Sequence, residues 1–147
     1  MNTIRVAIAV CRFNPEITSG LLKGARQVLR EHNIADDAIE TVDIPGAFEA
    51  PLAAKLLAES KKYDGVICLG AVIKGDTAHF EFISLGATIG LQQAMLMTNI
   101  PIAMGIITTY TDEQATARSL DNPHNKGREA ALACLEMIAF RKNNPVF

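Results

Sequence analysis

The sequence has no tryptophan, few aromatic residues and almost no excess of charge of either sign. Aromatic side chains make up 5% of its 147 residues, and 14 Lys and Arg face 16 Asp and Glu, for a formal net charge of −2. The basic residues are scattered as well as outnumbered, so the chain lacks the positive surface that attracts nucleic-acid phosphates. We therefore expect no nucleic-acid partner.

Long apolar runs are also missing. The apolar stretch near the N-terminus, residues 4–10, is interrupted by Arg5. It is far shorter than the ~20 residues that span a bilayer. Because no basic segment, apolar core and cleavage site resemble a secretory signal, we expect a cytoplasmic protein that does not associate with membranes.

The cysteines do not form a recognisable framework. Cys11, Cys68 and Cys134 are an odd number without a C-x-x-C pair, and the three histidines lack an i, i+4 spacing. These spacings suit neither disulfides nor a zinc site. Cys68 and Cys134 stand in apolar runs and are predicted to be small core residues. We expect no protein-bound metal.

What the chain does contain is a strong alternation of strand-like and helical segments. Hydrophobic residues make up 49% of the sequence, and this length fits one domain, residues 1–147, rather than a disordered, collagen-like or coiled-coil chain. Short Val- and Ile-rich runs predict strands at residues 5–10, 39–44, 65–69 and 102–107. Helical periodicities predict helices at residues 17–29, 48–57, 79–98, 113–119 and 126–142.

This alternation, without a hairpin signal, predicts right-handed crossovers and a parallel sheet. We expect an α/β fold of flavodoxin-like type: a three-layer α/β/α sandwich around a four-stranded parallel sheet in order 2-1-3-4. Ligands of such sheets bind beyond the carboxyl ends of the strands, near the point where strand order reverses. The loops that begin at Cys11, Pro45, Gly70 and Thr108 are therefore the candidate site.

The predicted helix at residues 79–98 is apolar in nearly every direction, with Glu81 as its one charged residue. A helix of this kind must be buried on all sides, which one face of a small sheet cannot achieve. We expect a second subunit to cover part of it; an unusually apolar surface helix is the alternative.

Before this helix, Gly70-x-x-x-x-Gly75 is followed by Asp76 and Thr77, where a nucleotide-binding P-loop carries Lys and Ser or Thr. The missing lysine disfavours an NTPase. A glycine-containing turn at a helix start remains a general anion site. His79 stands in the first helical turn, where the helix dipole favours its neutral form, so it is a candidate general base; a structural capping histidine is the alternative.

Further polar and aromatic residues end the other strands. Phe13, Asn14 and residues 47–49 supply an aromatic face, an amide and a carboxylate, which suit a planar, hydroxylated ligand. A core phenylalanine and an ordinary first-turn glutamate are the alternatives. Arg118 and Lys126 flank a polar loop and could bind phosphate, or could be solvated side chains.

Taken together, these segments resemble the 6,7-dimethyl-8-ribityllumazine synthase family, whose members catalyse the penultimate step of riboflavin biosynthesis. The matching segments keep the family's order and spacing from about Val6 to Met137. They are RFN at 12–14, IPGAFE at 44–49, GAVIKGDTAHF at 70–80, GIITT at 105–109 with EQA at 113–115, and NKG at 125–127.

The resemblance implies condensation of 5-amino-6-ribitylaminouracil with 3,4-dihydroxy-2-butanone 4-phosphate, without a metal or organic cofactor. His79 would shuttle protons in this reaction. The pyrimidine and its ribityl chain would contact Phe13, Asn14, Ala47, Phe48, Glu49, Val72, Ile73, Met104 and Lys126. The phosphate would be bound by Gly75, Asp76, Thr77 and Arg118. In this family the positions of Met104, Arg118 and Lys126 are supplied by the neighbouring subunit.

Three features depart from the family pattern. Met104 replaces an aromatic residue of many relatives, which would soften one face of the ring pocket. Asp76 adds a negative charge beside the phosphate, so it must point away, for example as a helix cap. The first strand begins near residue 4, without the segment that pairs with a neighbour in many relatives.

The resemblance implies a homopentamer. The short spacing from Arg118 to Lys126 is compatible with a 60-subunit shell, whereas the missing segment favours free pentamers or decamers. The resemblance also allows riboflavin synthase as a partner.

The sequence disfavours two other classes of flavodoxin-like protein. A phospho-acceptor receiver needs an acidic cluster after the first strand, and a flavin-binding flavodoxin needs a hydroxyl- and glycine-rich loop there; residues 11–14 provide neither. A shell-forming or riboflavin-storing homologue without catalysis has the same fold, so this alternative stays open. The presence of so many candidate site residues in this chain argues against it.

Overall fold

A computed structural model describes residues 3–145, in which strands and helices alternate along the chain. The strands are β1 (Val6–Cys11), β2 (Ile39–Ile44), β3 (Gly65–Ile73) and β4 (Ile102–Thr109). The helices are α1 (Pro15–Glu31), α2 (Ala50–Glu59), α3 (His79–Thr98), α4 (Asp112–Ala117) and α5 (Lys126–Asn143). Short 3₁₀ turns at Asp36–Ala38 and Ala47–Glu49 were not predicted.

The sheet is parallel throughout and has the order β2-β1-β3-β4. Successive side chains of a strand point to opposite faces. In β1, Ile8 accordingly packs in the apolar cluster under α1 and α5, and Ala9 packs in the cluster under α2. Two cores with a sheet between them form a three-layer α/β/α sandwich, so the predicted flavodoxin-like fold is confirmed.

Two strands are longer than the sequence predicts. The prediction that β3 ends at Leu69 and gives way to a turn at Gly70 is wrong, because Gly70 to Ile73 pair with Ile106 to Thr109 of β4. A glycine stands at this strand position for a packing reason, because a Cβ there would lie 2.8 Å from the Cys11 Sγ atom. β4 likewise includes Thr108 and Thr109, which were predicted as loop. The segment between β3 and α3 is therefore only residues 74–78, called here the 74–78 loop.

The apolar helix α3 has the predicted bounds but only one narrow buried face. Ala87, Leu91 and Ala94 are buried against the sheet layer, whereas Phe82 and Leu96 are 75% and 72% exposed. Exposed apolar side chains of this size are typical of a surface that another molecule covers. Within residues 3–145, no helix combines the length and the apolar character needed to cross a bilayer.

The start of α5 is fixed by close packing against α1. A Cβ at Gly127 would lie 1.9 Å from the Leu21 carbonyl oxygen, so only glycine lets the two helices approach this closely. Asn125 caps α5, since its side chain accepts a hydrogen bond from the Arg128 N–H. This packing sets the position of Lys126, the first residue of the helix.

Candidate active site

A cavity of about 490 Å³ opens where β1, β2 and β3 end. It lies at the carboxyl edge of the sheet, where strand order reverses, as expected for this fold. Its walls come from three strand ends and from the start of α3. The lining residues are Cys11, Phe13, Asn14, Gly46, Ala47, Phe48, Glu49, Ala71, Val72, Ile73, His79 and Ile83.

Asn14 ties the first wall of this cavity to the sheet. Its backbone is left-handed (φ 57°, ψ 58°), a conformation that asparagine tolerates better than most residues. Its Nδ2 donates a 3.0 Å hydrogen bond to the Ala71 carbonyl oxygen, and its own carbonyl accepts from the Ile17 N–H as α1 begins. Asn14 therefore fixes the turn that presents the exposed ring of Phe13.

Gly46 brings the second wall close to Phe13. A Cβ on Gly46 would lie 3.0 Å from two ring carbons of Phe13 and 3.7 Å from Oε2 of Glu49. The missing side chain leaves the ring close to the Pro45–Ala47 backbone, with the Glu49 carboxylate nearby. An aromatic face and an anionic acceptor thus lie side by side, which suits a flat ring with N–H or O–H donors.

His79 is the first residue of α3 and is exposed at the cavity. Its backbone N–H donates to the Oγ1 atom of Thr77, in the loop before the helix, at 3.3 Å. The N-cap residue of α3 is Ala78, and its side chain makes no cap bond. The His79 imidazole is therefore not used as a cap. The expectation that Asp76 caps the helix is wrong.

The loop proposed to bind phosphate lies beside His79 but outside the cavity lining. Gly75, Asp76 and Thr77 are exposed in the 74–78 loop, between the cavity residues Ile73 and His79. Backbone N–H groups at a helix start can bind an anion, which is the role predicted for these residues.

Cys11 lines the same cavity and was not predicted to belong to the site. Burial raises the pKa of its thiol to about 11, and the Glu49 carboxylate adds to the rise. The thiol is therefore protonated at neutral pH and is a poor nucleophile. Its place at the carboxyl end of β1 was the signal that could have identified it.

The remaining predicted residues lie elsewhere. Met104, Arg118 and Lys126 line a second cavity, of about 420 Å³, between β4 and α5. The Lys126 Nζ atom lies 2.7 Å from Oε2 of Glu129, and the Lys126 N–H donates a 2.9 Å hydrogen bond to the Arg118 carbonyl oxygen. The backbones of the two residues are thus held together, but neither residue lines the cavity that contains His79.

Among residues 3–145, no group of three or more His, Cys, Asp and Glu side chains comes together in a way that could hold a metal ion.

Comparison with known proteins identifies the family. A sequence model described as 6,7-dimethyl-8-ribityllumazine synthase matches residues 3–142. A protein of Caulobacter vibrioides named 6,7-dimethyl-8-ribityllumazine synthase 1 is 57% identical over 134 residues, covering 91% of this chain and 88% of that protein.

Solved structures were compared as well. Two structures of a GDP-L-fucose synthetase from Naegleria fowleri, one with bound NADP, overlap with a TM-score of 0.47 at 13% and 12% identity. The match covers 97% of this chain but 44% of theirs, and a likeness at this level carries no argument about function. The sequence matches, over nearly all of the chain, are decisive: the chain belongs to the 6,7-dimethyl-8-ribityllumazine synthase family, which are transferases of riboflavin biosynthesis.

Proposed function

We propose that this chain condenses 5-amino-6-(D-ribitylamino)uracil with 3,4-dihydroxy-2-butanone 4-phosphate to give 6,7-dimethyl-8-ribityllumazine, phosphate and water. The observation that carries the proposal is the meeting of Phe13, Glu49 and His79 in one cavity, although they come from three separate segments of the chain. An aromatic face, a carboxylate and an imidazole thus meet at the switch point of the sheet, where ligands of this fold bind.

Each wall of the cavity has a role in this proposal. Phe13 stacks on the pyrimidine ring, beside the gap left by Gly46. Asn14 and residues 47–49 hold the ribityl chain and the ring edge. The backbone of Val72 and Ile73 borders the cavity at the end of β3 and bonds the polar atoms of the pyrimidine.

The chemistry needs orientation and proton transfer. The ring amine attacks the ketone, and loss of water gives an imine. Phosphate then leaves, and attack by the ribityl-bearing nitrogen closes the second ring with loss of the remaining water. Holding the two reactants in contact supplies much of the acceleration. His79 accepts and returns protons in these steps, and the amides of residues 75–77 bind the leaving phosphate.

The second cavity supplies the other half of the site from an adjacent copy. Arg118 would bind the phosphate, Lys126 would lie between phosphate and ribityl chain, and Met104 would close the ring pocket. Two observations support this division: these residues line a cavity of their own, and α3 leaves large apolar side chains exposed. We propose a homopentamer as the unit, with decamers, 60-subunit shells and an association with riboflavin synthase as further assemblies to test.

The test is to mix the purified protein with both substrates and follow the absorbance and fluorescence of the lumazine product. We expect product well above the uncatalysed rate. The His79→Ala variant should be slower by roughly 10²-fold but still active, because general acid–base catalysis is one part of the acceleration. His32→Ala, at the exposed C-terminal end of α1 and in the lining of neither cavity, is the matched control and should keep the full rate.

Two results would contradict the proposal. No product above background would remove the activity itself and would favour a homologue that only binds or stores ligand. Full turnover by His79→Ala would leave the activity and remove the proton-transfer role of His79.

A further inference from the structure

The 74–78 loop has little packing of its own. All five of its residues are exposed. A Cβ on Gly75 would meet no atom of the described chain within 4 Å. An anion site made of backbone N–H groups works only when those groups are held in place. The order of this loop must therefore come from its two ends.

One side chain, Tyr110, contacts both ends. At the start of the loop, the Lys74 ammonium lies 5.6 Å from the centre of the Tyr110 ring. Just past its end, the Phe80 ring packs against Tyr110 with centroids 6.0 Å apart and a 48° tilt. Both distances fall in the ranges of attractive cation–π and aromatic contacts. Lys74 also reaches Glu81, at 3.8 Å, in the first turn of α3.

Tyr110 is itself held firmly. The residue before it, Thr109, ends β4 and accepts a 2.9 Å hydrogen bond from the Lys74 N–H. The Tyr110 N–H donates to Oε1 of Gln114 at 2.8 Å, and the Gln114 N–H donates to the Thr111 Oγ1 at 3.1 Å. These bonds tie the Tyr110 backbone to the first turn of α4, and the ring, which is 68% exposed, lies against Lys74 and Phe80.

We propose that Tyr110 is a positioning residue for phosphate binding: its ring clamps Lys74 and Phe80 and so fixes the backbone N–H groups of residues 75–77. The proposal rests on the proposed function, because phosphate binding by this loop is part of it. Tyr110 touches no reacting atom and acts through the loop.

The test compares Tyr110→Leu, which removes the ring, with Tyr110→Phe, which keeps it. We expect Tyr110→Leu to raise the KM for the butanone phosphate by roughly three- to tenfold while leaving the KM for the pyrimidine unchanged. Tyr110→Phe should keep the wild-type KM for the butanone phosphate. Phe140→Ala, which removes an exposed aromatic side chain on α5, is the matched control and should change neither constant.

A second readout does not depend on activity. Limited trypsin digestion, followed by mass spectrometry, measures the rate of cleavage after Lys74 in the loop, with cleavage after the exposed Lys62 as the internal reference. Loss of the clamp should speed cleavage after Lys74 in Tyr110→Leu and leave the rate after Lys62 unchanged.

The outcomes separate the two proposals. Unchanged KM and unchanged cleavage in Tyr110→Leu overturn the clamp, and so does an equal rise in both KM values, which would show a general structural defect. An inactive wild-type protein overturns the proposed function, and cleavage after Lys74 then decides the clamp alone.

Discussion

Asn125→Ala should destabilise the protein more than any ordinary polar substitution. Asn125 is 1% exposed and joins three parts of the chain. Its Nδ2 donates to the carbonyl oxygens of Gly20, at 3.1 Å, and Leu120, at 2.9 Å. Its Oδ1 accepts from the Arg128 N–H at 3.1 Å and so caps α5. Alanine removes all three bonds. The Leu120 carbonyl oxygen keeps its bond from the Asn122 N–H, whereas the Arg128 N–H loses its capping partner.

The magnitude follows from these contacts. Loss of an N-cap costs about 1 kcal/mol, and each of the two other hydrogen bonds contributes about 1 kcal/mol, so the free energy of unfolding should fall by about 3 kcal/mol. That is a large share of the roughly 5–15 kcal/mol that stabilises a typical domain. With a urea dependence of about 2 kcal/mol per molar, the midpoint should drop by about 1.5 M.

The assay is urea unfolding followed by far-ultraviolet circular dichroism, at one protein concentration because assembly adds to apparent stability. Asn144→Ala is the matched control: the Asn144 Nδ2 also donates to a backbone oxygen, of Phe140, but the residue is exposed. We expect the control to change stability by less than about 0.5 kcal/mol. A loss below about 1 kcal/mol for Asn125→Ala, or an equal loss in both variants, would refute this reasoning.

Two further predictions concern stability. Gly127→Ala should destabilise the protein by at least about 2 kcal/mol, because the new Cβ would lie 1.9 Å from the Leu21 carbonyl oxygen. Gly86→Ala in α3 is the control, since no described atom lies within 4 Å of a Cβ there. In the same unfolding assay it should be neutral or slightly stabilising. Equal effects would contradict the packing. Burial raises the pKa of Cys11 to about 11 and of Cys134 to about 12, from 9.0, so the folded chain keeps protons that the unfolded chain releases. The free energy of unfolding should be undiminished below about pH 9 and fall above it by up to about 1.4 kcal/mol per thiol and pH unit, a slope that Cys134→Ala should reduce.

How far the sequence predicts the fold depends on the kind of signal. The bounds of α3 were predicted correctly, because a long and mostly apolar segment lies between two polar loops. The ends of β3 and β4 were wrong, because the pairing of Val72 with Thr108 extends both strands, and local residue preferences do not contain the partner strand. Gly70 by itself indicates a turn; it is a strand residue because it pairs with Ile106, and it is a glycine because the Cys11 Sγ atom leaves no room for a Cβ.

The candidate site, like the fold, could be predicted from the sequence only in part. The meeting of Phe13, Glu49 and His79 follows from strand order, because the carboxyl ends of parallel strands share one edge. Cys11 begins one of the candidate loops but was not predicted as a site residue, although its place at the carboxyl end of β1 was a signal for it. That its thiol is buried beside the Glu49 carboxylate has no sequence signature. The placement of Arg118 and Lys126 in another cavity could not come from topology alone, because their proposed partner surface belongs to a second copy.

The most direct measurement of the shared site is complementation. One variant, Glu49→Ala/His79→Ala, damages the first cavity, and the other, Arg118→Ala/Lys126→Ala, damages the second. Each alone should be nearly inactive. When equal amounts are unfolded and refolded together, random assembly gives about one quarter of sites with both halves intact, so lumazine formation should recover to about a quarter of the wild-type rate. A refolded mixture no more active than its two parents would show that each chain builds its site alone and would contradict the account.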